Sequence, residues 1–182
     1  MVCTLLTSPH AHVTHTRCPF QLAALSVLHA NGIVHRDIKP ANFLLDASGG
    51  AVQADFGLAL EAGPDDALTG ICGTEDYLAP EQWWAPTYDG RVDVWQLGCT
   101  FVELLADLEG PWLTTLGEGL NPLRQPGWTQ KKVQNRLRRS LKQLLPDHPA
   151  LKLLLKVCFS RCYCFDFRSD ARPPMLDGQH RS

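Results

Sequence analysis

Acidic residues and lysine are absent from the first 34 positions of the sequence, where Arg17 is the only side chain with a full positive charge. No run of apolar residues approaches the roughly 20 that a membrane-spanning helix needs. The short apolar stretch at residues 2–6 lacks the basic flank of a signal peptide. These absences predict a protein without a membrane span that stays inside the cell, in the cytoplasm or the nucleus.

A large excess of either charge is also lacking. The chain has 17 lysine and arginine residues against 19 aspartate and glutamate residues, which gives a formal net charge of −2. Domains that bind nucleic acid usually carry a strong basic patch, so we expect no nucleic-acid partner. The 182 residues are enough for one domain with a sizeable core.

The seven cysteines form no repeating framework and are odd in number, which is typical of reduced thiols. The last three cysteines, in the pattern C-x3-C-x-C, are Cys158, Cys162 and Cys164. No histidine lies near them at zinc-finger spacing, so helix packing is favoured over a zinc site. A second metal hypothesis concerns three histidines: His10, His12 and His15. Their alternation with apolar residues is more typical of a loose surface segment.

The sequence pattern changes near residue 17. Apolar residues then recur at spacings of three and four: Leu22, Leu25, Val27, Leu28 and Ile33. This spacing predicts a helix with one apolar face, and the pair Asn31-Gly32 is a helix stop. Residues 1–16 are predicted to be a loose leader outside the domain.

Polar residues suited to catalysis lie close together at residues 33–42, whose letters are IVHRDIKPAN. Asp37 and Asn42 bracket a short loop that can present a carboxylate and an amide oxygen on one side. Lys39 lies between them, where a cation can sit beside a transferring phosphate. This loop therefore combines an acid/base group, a metal ligand and a positive charge.

A hairpin is predicted directly after this loop. Two short apolar runs at residues 43–46 and 51–54 flank a Ser-Gly-Gly turn. Such a hairpin would return Asp55 to the neighbourhood of Asn42. Two oxygen ligands for a hard cation would then lie close together.

Four motifs in this order resemble the protein kinase family. They are HRDIKPAN at residues 35–42, DFG at 55–57, APE at 79–81 and DVWQLG at 93–98. Lys39 and the pair Gly73-Thr74 resemble the serine/threonine branch. The resemblance implies an α+β, mainly α fold: a kinase-like large lobe with a small β-hairpin at the cleft. It covers residues 17–176 and leaves residues 177–182 as a tail.

The resemblance also implies a chemistry, the transfer of the γ-phosphoryl group of ATP to serine or threonine hydroxyls of protein substrates. Asp37 would orient or deprotonate the hydroxyl, and Lys39 would stabilise charge on the phosphoryl group. Asn42 and Asp55 would bind Mg²⁺, and Leu44 would form the floor under adenine.

The stretch before the APE motif resembles an activation segment. Thr74 would lie on the strip that receives substrate peptides. Counting back from Glu81, the usual position of a phosphorylated hydroxyl falls on Gly70, which has none. Thr69 is its neighbour, and Arg36 would be the cation that pairs with a phosphate there. Phosphorylation of Thr69 is a hypothesis; an ordinary exposed loop threonine is the alternative.

Structural roles follow from the same resemblance. His35 and Phe56 would pack together and orient the metal motif. Asp93, at the start of a helix that is apolar nearly all round, would hold the backbone of the catalytic loop. Glu81 and Arg172 would form a buried ion pair.

Two parts of a complete kinase find no counterpart among residues 1–34: a Gly-rich phosphate loop, and a strand lysine with its glutamate partner. The sequence therefore predicts a large lobe only, with a small lobe or regulatory partner supplied from elsewhere. Two functions stay open. One is a serine/threonine kinase fragment, and the other is a catalytically silent module that binds substrates or regulators.

A basic amphipathic helix is predicted at residues 129–145. Its apolar side holds Val133, Leu137, Leu141 and Leu144, and six lysines and arginines occupy the rest. Such helices can dock on acidic partners. A surface helix with a solvated basic face is the commoner case.

Overall fold

The computed structural model describes residues 4–5, 18–46, 50–63, 66–115, 130–145 and 158–159. The strands are β1 (Thr4–Leu5), β2 (Ile33–Val34), β3 (Phe43–Leu45), β4 (Ala51–Gln53) and β5 (Leu60–Glu61). The helices are α1 (Cys18–Ala30), α2 (Pro80–Trp84), α3 (Arg91–Leu105), α4 (Trp112–Thr115) and α5 (Gln130–Leu144). Short 3₁₀ turns lie at Pro40–Asn42 and Glu75–Tyr77. The fold is α+β and mainly α, as the sequence predicts.

Helix α3 is the centre of the core. Ten of its residues, from Val92 to Val102, are buried. Trp95 and Phe101 are fully buried, and the ring of Trp95 meets that of Phe159 edge-on at 5.0 Å. A Cβ atom on Gly98 would lie 2.9 Å from the Phe159 ring, so only glycine allows this close approach. The prediction of a buried central helix is confirmed.

Helix α1 ends where the sequence predicts, because Gly32 adopts a left-handed φ of +68° just after it. Leu25 is buried and Leu22 packs on the core. The prediction was wrong for Val27, which is 61% exposed. Val27 lies about 200° round the helix from Leu25, so it cannot share the same face.

The predicted hairpin is present. Strands β3 and β4 pair antiparallel, with Phe43 opposite Gln53 and Leu45 opposite Ala51. Strand β1 adds a third, unpredicted strand on the other side of β3. A second, two-stranded sheet joins β2 to β5. Both sheets flank the loop at residues 35–42, so they fix its two ends.

Helices α4 and α5 also pack on the core. In α5, Leu137 and Leu141 are buried, while Arg138, Arg139 and Lys142 are exposed. The indole nitrogen of Trp112 in α4 donates to the Ser140 hydroxyl at 2.8 Å and ties the two helices together. Among the described residues, no helix has the length and apolar character to cross a membrane.

Candidate active site

Asp93 anchors the loop that carries the polar motif. Its carboxylate is fully buried and accepts the backbone N–H groups of His35 at 2.8 Å and Arg36 at 2.7 Å. The Nε2 atom of His29 lies 2.9 Å from the same carboxylate. A buried carboxylate is costly unless it is paired in this way, so its partners fix the start of the loop against α3.

Gln96, one turn after Asp93 on α3, holds the other side of the same backbone. Its side-chain oxygen accepts the N–H of Ile38 at 2.8 Å, and its nitrogen donates to the Arg36 carbonyl at 3.0 Å. Arg36 adopts a left-handed φ of +66°, which is uncommon for a side chain of this size. The surrounding bonds hold that strained conformation in place.

Asp37 is the centre of a compact polar cluster. Its Oδ1 atom accepts the backbone N–H of Thr74 at 2.8 Å and the Thr74 hydroxyl at 2.6 Å. Its Oδ2 atom accepts Lys39 Nζ at 2.8 Å and Asn42 Nδ2 at 3.0 Å. Lys39 Nζ also donates to the Thr74 hydroxyl at 2.5 Å. Residues 37 positions apart thus meet around one carboxylate.

The cluster keeps the Asp37 carboxyl ionised. Burial acts to raise the pKa of Asp37, but hydrogen bonds from Lys39 and Thr74 outweigh it, and the pKa lies below its ordinary value. Asp37 is therefore a pure hydrogen-bond acceptor near neutral pH. Four donors occupy roughly the four acceptor positions that a carboxylate has.

The β3–β4 hairpin brings Asp55 next to Asn42, as the sequence predicts. The backbone N–H of Ala54 donates to the Asn42 carbonyl at 2.8 Å. Asp55 follows directly, with a left-handed φ of +59° and an exposed side chain. Its Oδ1 atom accepts the N–H of Gly57 at 3.3 Å. This is the second left-handed residue of the site after Arg36, and its backbone turns the chain so that the Asp55 carboxylate is exposed.

The donor set at these two residues fits Mg²⁺. Both protons of the Asn42 amide point to Asp37, at its carbonyl (2.8 Å) and its Oδ2 atom (3.0 Å), so the amide oxygen faces away. Asp55 adds an exposed carboxylate. No group of three or more His, Cys, Asp or Glu side chains suited to a metal occurs in the described part of the chain. Two oxygen ligands completed by water and phosphates suit Mg²⁺, which is seldom caged by protein alone.

His35 packs against Phe56 of the motif that begins at Asp55. Its ring is fully buried, 4.9 Å from the ring of Phe56, and its Nε2 atom is 3.1 Å from the Ala54 carbonyl. The Gln53 amide nitrogen lies 3.0 Å from the same Nε2 atom and donates to the Asn42 carbonyl at 3.3 Å. Gln53 was not foreseen from the sequence. A polar residue inside an apolar strand, two positions before Asp55, was the available signal.

The activation segment lies against the catalytic loop. A Cβ atom on Gly73 would come within 2.3 Å of the Arg36 carbonyl, so glycine is required there. Arg36 Nε donates to the Leu58 carbonyl at 2.9 Å. Thr69 is exposed, and no hydrogen bond links it to Arg36 in the structure. The phosphorylation of Thr69 stays a prediction.

A second unforeseen link joins the segment to α3. The hydroxyl of Tyr77, which is buried, donates to Glu103 at 2.5 Å. Burial raises the pKa of Tyr77, and the bond to Glu103 raises it further. Burial also raises the pKa of Glu103, although the Tyr77 bond opposes this. The pair lies 26 residues apart in sequence, so no local pattern could reveal it.

Other predicted residues are placed only in part. Glu81 is buried in α2, but Arg172 lies outside the described residues, so their ion pair stays a prediction. Leu44 is half-buried on β3, opposite Val52 of β4. Cys158 is buried beside α3, which agrees with helix packing. The other cysteines of its group and the three histidines near the N-terminus are also outside the described residues.

Comparison with known proteins identifies the family. A model of the protein kinase domain matches residues 16–161. The chain therefore belongs to the protein kinase family.

Its relatives are of the serine/threonine type. The chain is 38% identical to serine/threonine-protein kinase Sgk1 of Fundulus heteroclitus over 140 residues, which are 76% of this chain and 32% of that protein. It is 39% identical to Sgk1-A of Xenopus laevis over 125 residues, 68% of this chain and 29% of that protein. It is 45% identical to human Sgk2 over 87 residues, 47% of this chain and 24% of that protein. The matches span about a third or less of these relatives.

Proposed function

We propose that this chain carries the catalytic half of a serine/threonine protein kinase, which transfers the γ-phosphoryl group of ATP to hydroxyls of protein substrates. The observation that carries the proposal is the cluster around Asp37, where Lys39, Asn42 and Thr74 all donate to one carboxylate. Each of these residue types has a use in phosphoryl transfer.

Asp37 receives the substrate hydroxyl in this proposal. Its lowered pKa keeps it ionised, so it can accept the hydroxyl proton and orient the oxygen toward the phosphoryl group. Because four donors already surround it, an incoming hydroxyl must displace one of them. The Thr74 hydroxyl is a neutral donor and therefore a weaker partner than the Lys39 cation. Thr74 would thus move aside as a substrate serine or threonine enters.

Lys39 supplies the positive charge. Its ammonium group has three donors, of which one goes to Asp37 and one to Thr74. The third is left for an oxygen of the phosphoryl group. A preorganised donor of this kind is worth roughly 10²–10³ in rate.

Asn42 and Asp55 would hold Mg²⁺ and Leu44 would lie under the adenine of ATP. When bound, Mg²⁺ neutralises charge on the phosphates. The Asn42 amide nitrogen is bonded to Asp37, which leaves the amide oxygen for the metal, and the Asp55 carboxylate is exposed. His35, packed on Phe56, would keep the Asp55 motif oriented.

A small lobe would complete the nucleotide site, as a further part of a longer protein or as a partner chain. The hairpin and the segment after it expose apolar side chains on which such a part can pack. They are Val52, Phe56, Leu58 and Leu60, each 39–46% exposed. Within this scheme residues 17–176 form the large lobe, residues 1–16 precede it and add strand β1 to its hairpin sheet, and residues 177–182 follow it.

The test is phosphoryl transfer from labelled ATP with Mg²⁺ by the 182-residue chain, to itself and to a generic serine/threonine substrate. Asp37→Asn and Asp55→Ala are the informative variants, and Asp66→Asn, on an exposed loop, is the matched control. Any transfer by the parent should persist in the control and fall roughly 10²-fold or more in the other two variants. ATP binding measured by calorimetry should weaken in Asp55→Ala only.

Transfer that survives Asp37→Asn would refute the assigned chemistry. If the parent shows neither transfer nor ATP binding, this chain alone is not the enzyme. The alternative then stands, a module that binds substrates or regulators through its large lobe. A docking role of the basic α5 face would appear as salt-sensitive binding that persists in Asp55→Ala.

A further inference from the structure

Tyr88 holds the activation segment near Leu68. Its backbone and that of Leu68 exchange two hydrogen bonds, Leu68 N–H to Tyr88 O at 2.7 Å and Tyr88 N–H to Leu68 O at 2.9 Å. The Tyr88 side chain is only 6% exposed. The ring is therefore held under the segment by backbone contacts that do not depend on its hydroxyl.

The Tyr88 hydroxyl contacts two groups of the segment. It donates to the Gly70 carbonyl at 2.8 Å, and the Cys72 sulfur lies 3.6 Å away. Burial and the contact with Cys72 raise the pKa of Tyr88, whereas an interaction with Arg36 opposes that rise. The hydroxyl therefore stays protonated and can donate to the segment.

The other end of the segment packs on Arg36. The Arg36 backbone is held by Asp93 and Gln96, and its Nε atom donates to the Leu58 carbonyl. Three residues beyond Gly70, a Cβ atom on Gly73 would lie 2.3 Å from the Arg36 carbonyl oxygen. The segment is thus bonded to Tyr88 at Gly70 and packed against Arg36 at Gly73.

Gly70 occupies the position at which the family resemblance places a phosphorylated hydroxyl. It has no hydroxyl, and a Cβ atom built on it would meet nothing within 4 Å. Thr69 and Ile71 on either side are exposed. The space outside Gly70 is open, and the Arg36 Nε atom already donates to the Leu58 carbonyl.

We propose that the Tyr88 hydroxyl is a positioning group: through its bond to the Gly70 carbonyl it fastens the segment from Gly70 to Thr74, so that Thr74 meets Asp37 without a phosphate on the segment. The consequence for catalysis rests on the proposed function, whereas the positioning itself can be measured in a protein with no activity. Thr74 is the reporter, because its backbone N–H donates to Asp37 only when the segment is in place.

Hydrogen–deuterium exchange of the parent, Tyr88→Phe and Tyr77→Phe tests the positioning. Phenylalanine keeps the ring and removes only the hydroxyl. We expect exchange at the Thr74 amide to rise roughly 2- to 10-fold in Tyr88→Phe, the loss of one ordinary hydrogen bond. The amides of Leu68 and Tyr88 itself should keep their protection. Tyr77→Phe makes the same chemical change at a hydroxyl bonded to Glu103 and should leave the Gly70 region protected.

Unchanged exchange at Thr74 in Tyr88→Phe would overturn the proposal, and so would equal effects of the two variants at Gly70–Thr74. A second arm treats the parent with a serine/threonine phosphatase and repeats the measurement. Protection of Thr74 should survive this treatment. If it is lost, a phosphate holds the segment, with Thr69 the first residue to map, and the Tyr88 proposal fails.

Where the parent transfers phosphate, kinetics give an independent readout. Tyr88→Phe should raise KM for the protein substrate while KM for ATP stays within about two-fold, because the Tyr88 hydroxyl orders the substrate strip and not the metal site. An equal rise in KM for the protein substrate and for ATP would indicate general unfolding and count against a positioning role.

Discussion

Asp93 is the residue whose replacement should show most clearly what holds the site together. In Asp93→Asn the shape of the side chain is kept, but one carboxylate oxygen becomes an NH₂ group. The original oxygens accept two backbone N–H groups, from His35 and Arg36, and approach His29. At least one of the backbone donors must then face another donor in a fully buried position.

The cost follows from these bonds. A hydrogen bond to a charged group contributes roughly 1.5–3 kcal/mol, and a neutral one about 1 kcal/mol. Losing one charged bond and converting another to a neutral one gives about 2–5 kcal/mol, which overlaps the roughly 3–5 kcal/mol found when one member of a buried ion pair is removed. A domain is typically stable by about 5–15 kcal/mol. For a domain near the middle of that range, Asp93→Asn should therefore remove roughly a fifth to a half of the free energy of unfolding.

Urea unfolding followed by tryptophan fluorescence measures this loss, because Trp95 and Trp112 are fully buried. Asp66→Asn is the matched control. Its oxygen accepts the N–H of Gly63 at 2.6 Å in an exposed loop, and asparagine can still accept it. The control should change stability by less than about 0.5 kcal/mol. A loss below about 1 kcal/mol in Asp93→Asn would refute the view that this carboxylate anchors the loop.

Two further predictions concern the same loop and the segment that lies on it. Hydrogen bonds from Lys39 and Thr74 lower the folded-state pKa of Asp37 despite its burial, so its contribution to stability is present above the unfolded pKa near 3.8 and is lost as pH falls through the lower folded value. Urea unfolding below about pH 4 should show this loss in the parent and a flatter dependence in Asp37→Asn, and identical slopes would contradict it. Gly73→Ala should cost about 2–4 kcal/mol, because φ is +106° and the new Cβ atom would lie 2.3 Å from a carbonyl oxygen. Gly70→Ala, with φ of +79° and open space, should cost only about 1–2 kcal/mol, and an equal cost at both positions would be evidence against the steric argument.

Much of the fold follows from local patterns. Helix α1 stops at Gly32 and α3 is buried because glycine after a helix and an apolar pattern all round it have direct structural meanings. The hairpin after Asn42 is equally local, since a short turn joins its strands. Two residues predicted on the apolar face of α1 lie elsewhere, since Val27 is exposed and Ile33 belongs to strand β2. They show the limit of counting apolar residues without assigning each to a helix face.

The contacts of the site that the sequence analysis did not foresee are long-range. Gln96 meets Ile38 from 58 positions away, and Tyr77 meets Glu103 from 26 positions away. A polar residue one turn after Asp93 on a buried helix was a signal for Gln96, but no periodicity points to its partner. Tyr88 carries no local signal of its bond to Gly70, because a hydroxyl's partner cannot be read from its neighbours in sequence.

The long-range contacts converge on Arg36. Central helix α3 holds its backbone on both sides through Asp93 and Gln96, and Gly73 packs closely on its carbonyl. Its left-handed φ is tolerated because these partners agree on one conformation. A change in any partner therefore acts on Arg36, one residue before Asp37. Asp93, Gln96 and Gly73 thus share Arg36 as a common route to the Asp37 carboxylate, so the effects of replacing them should not be additive.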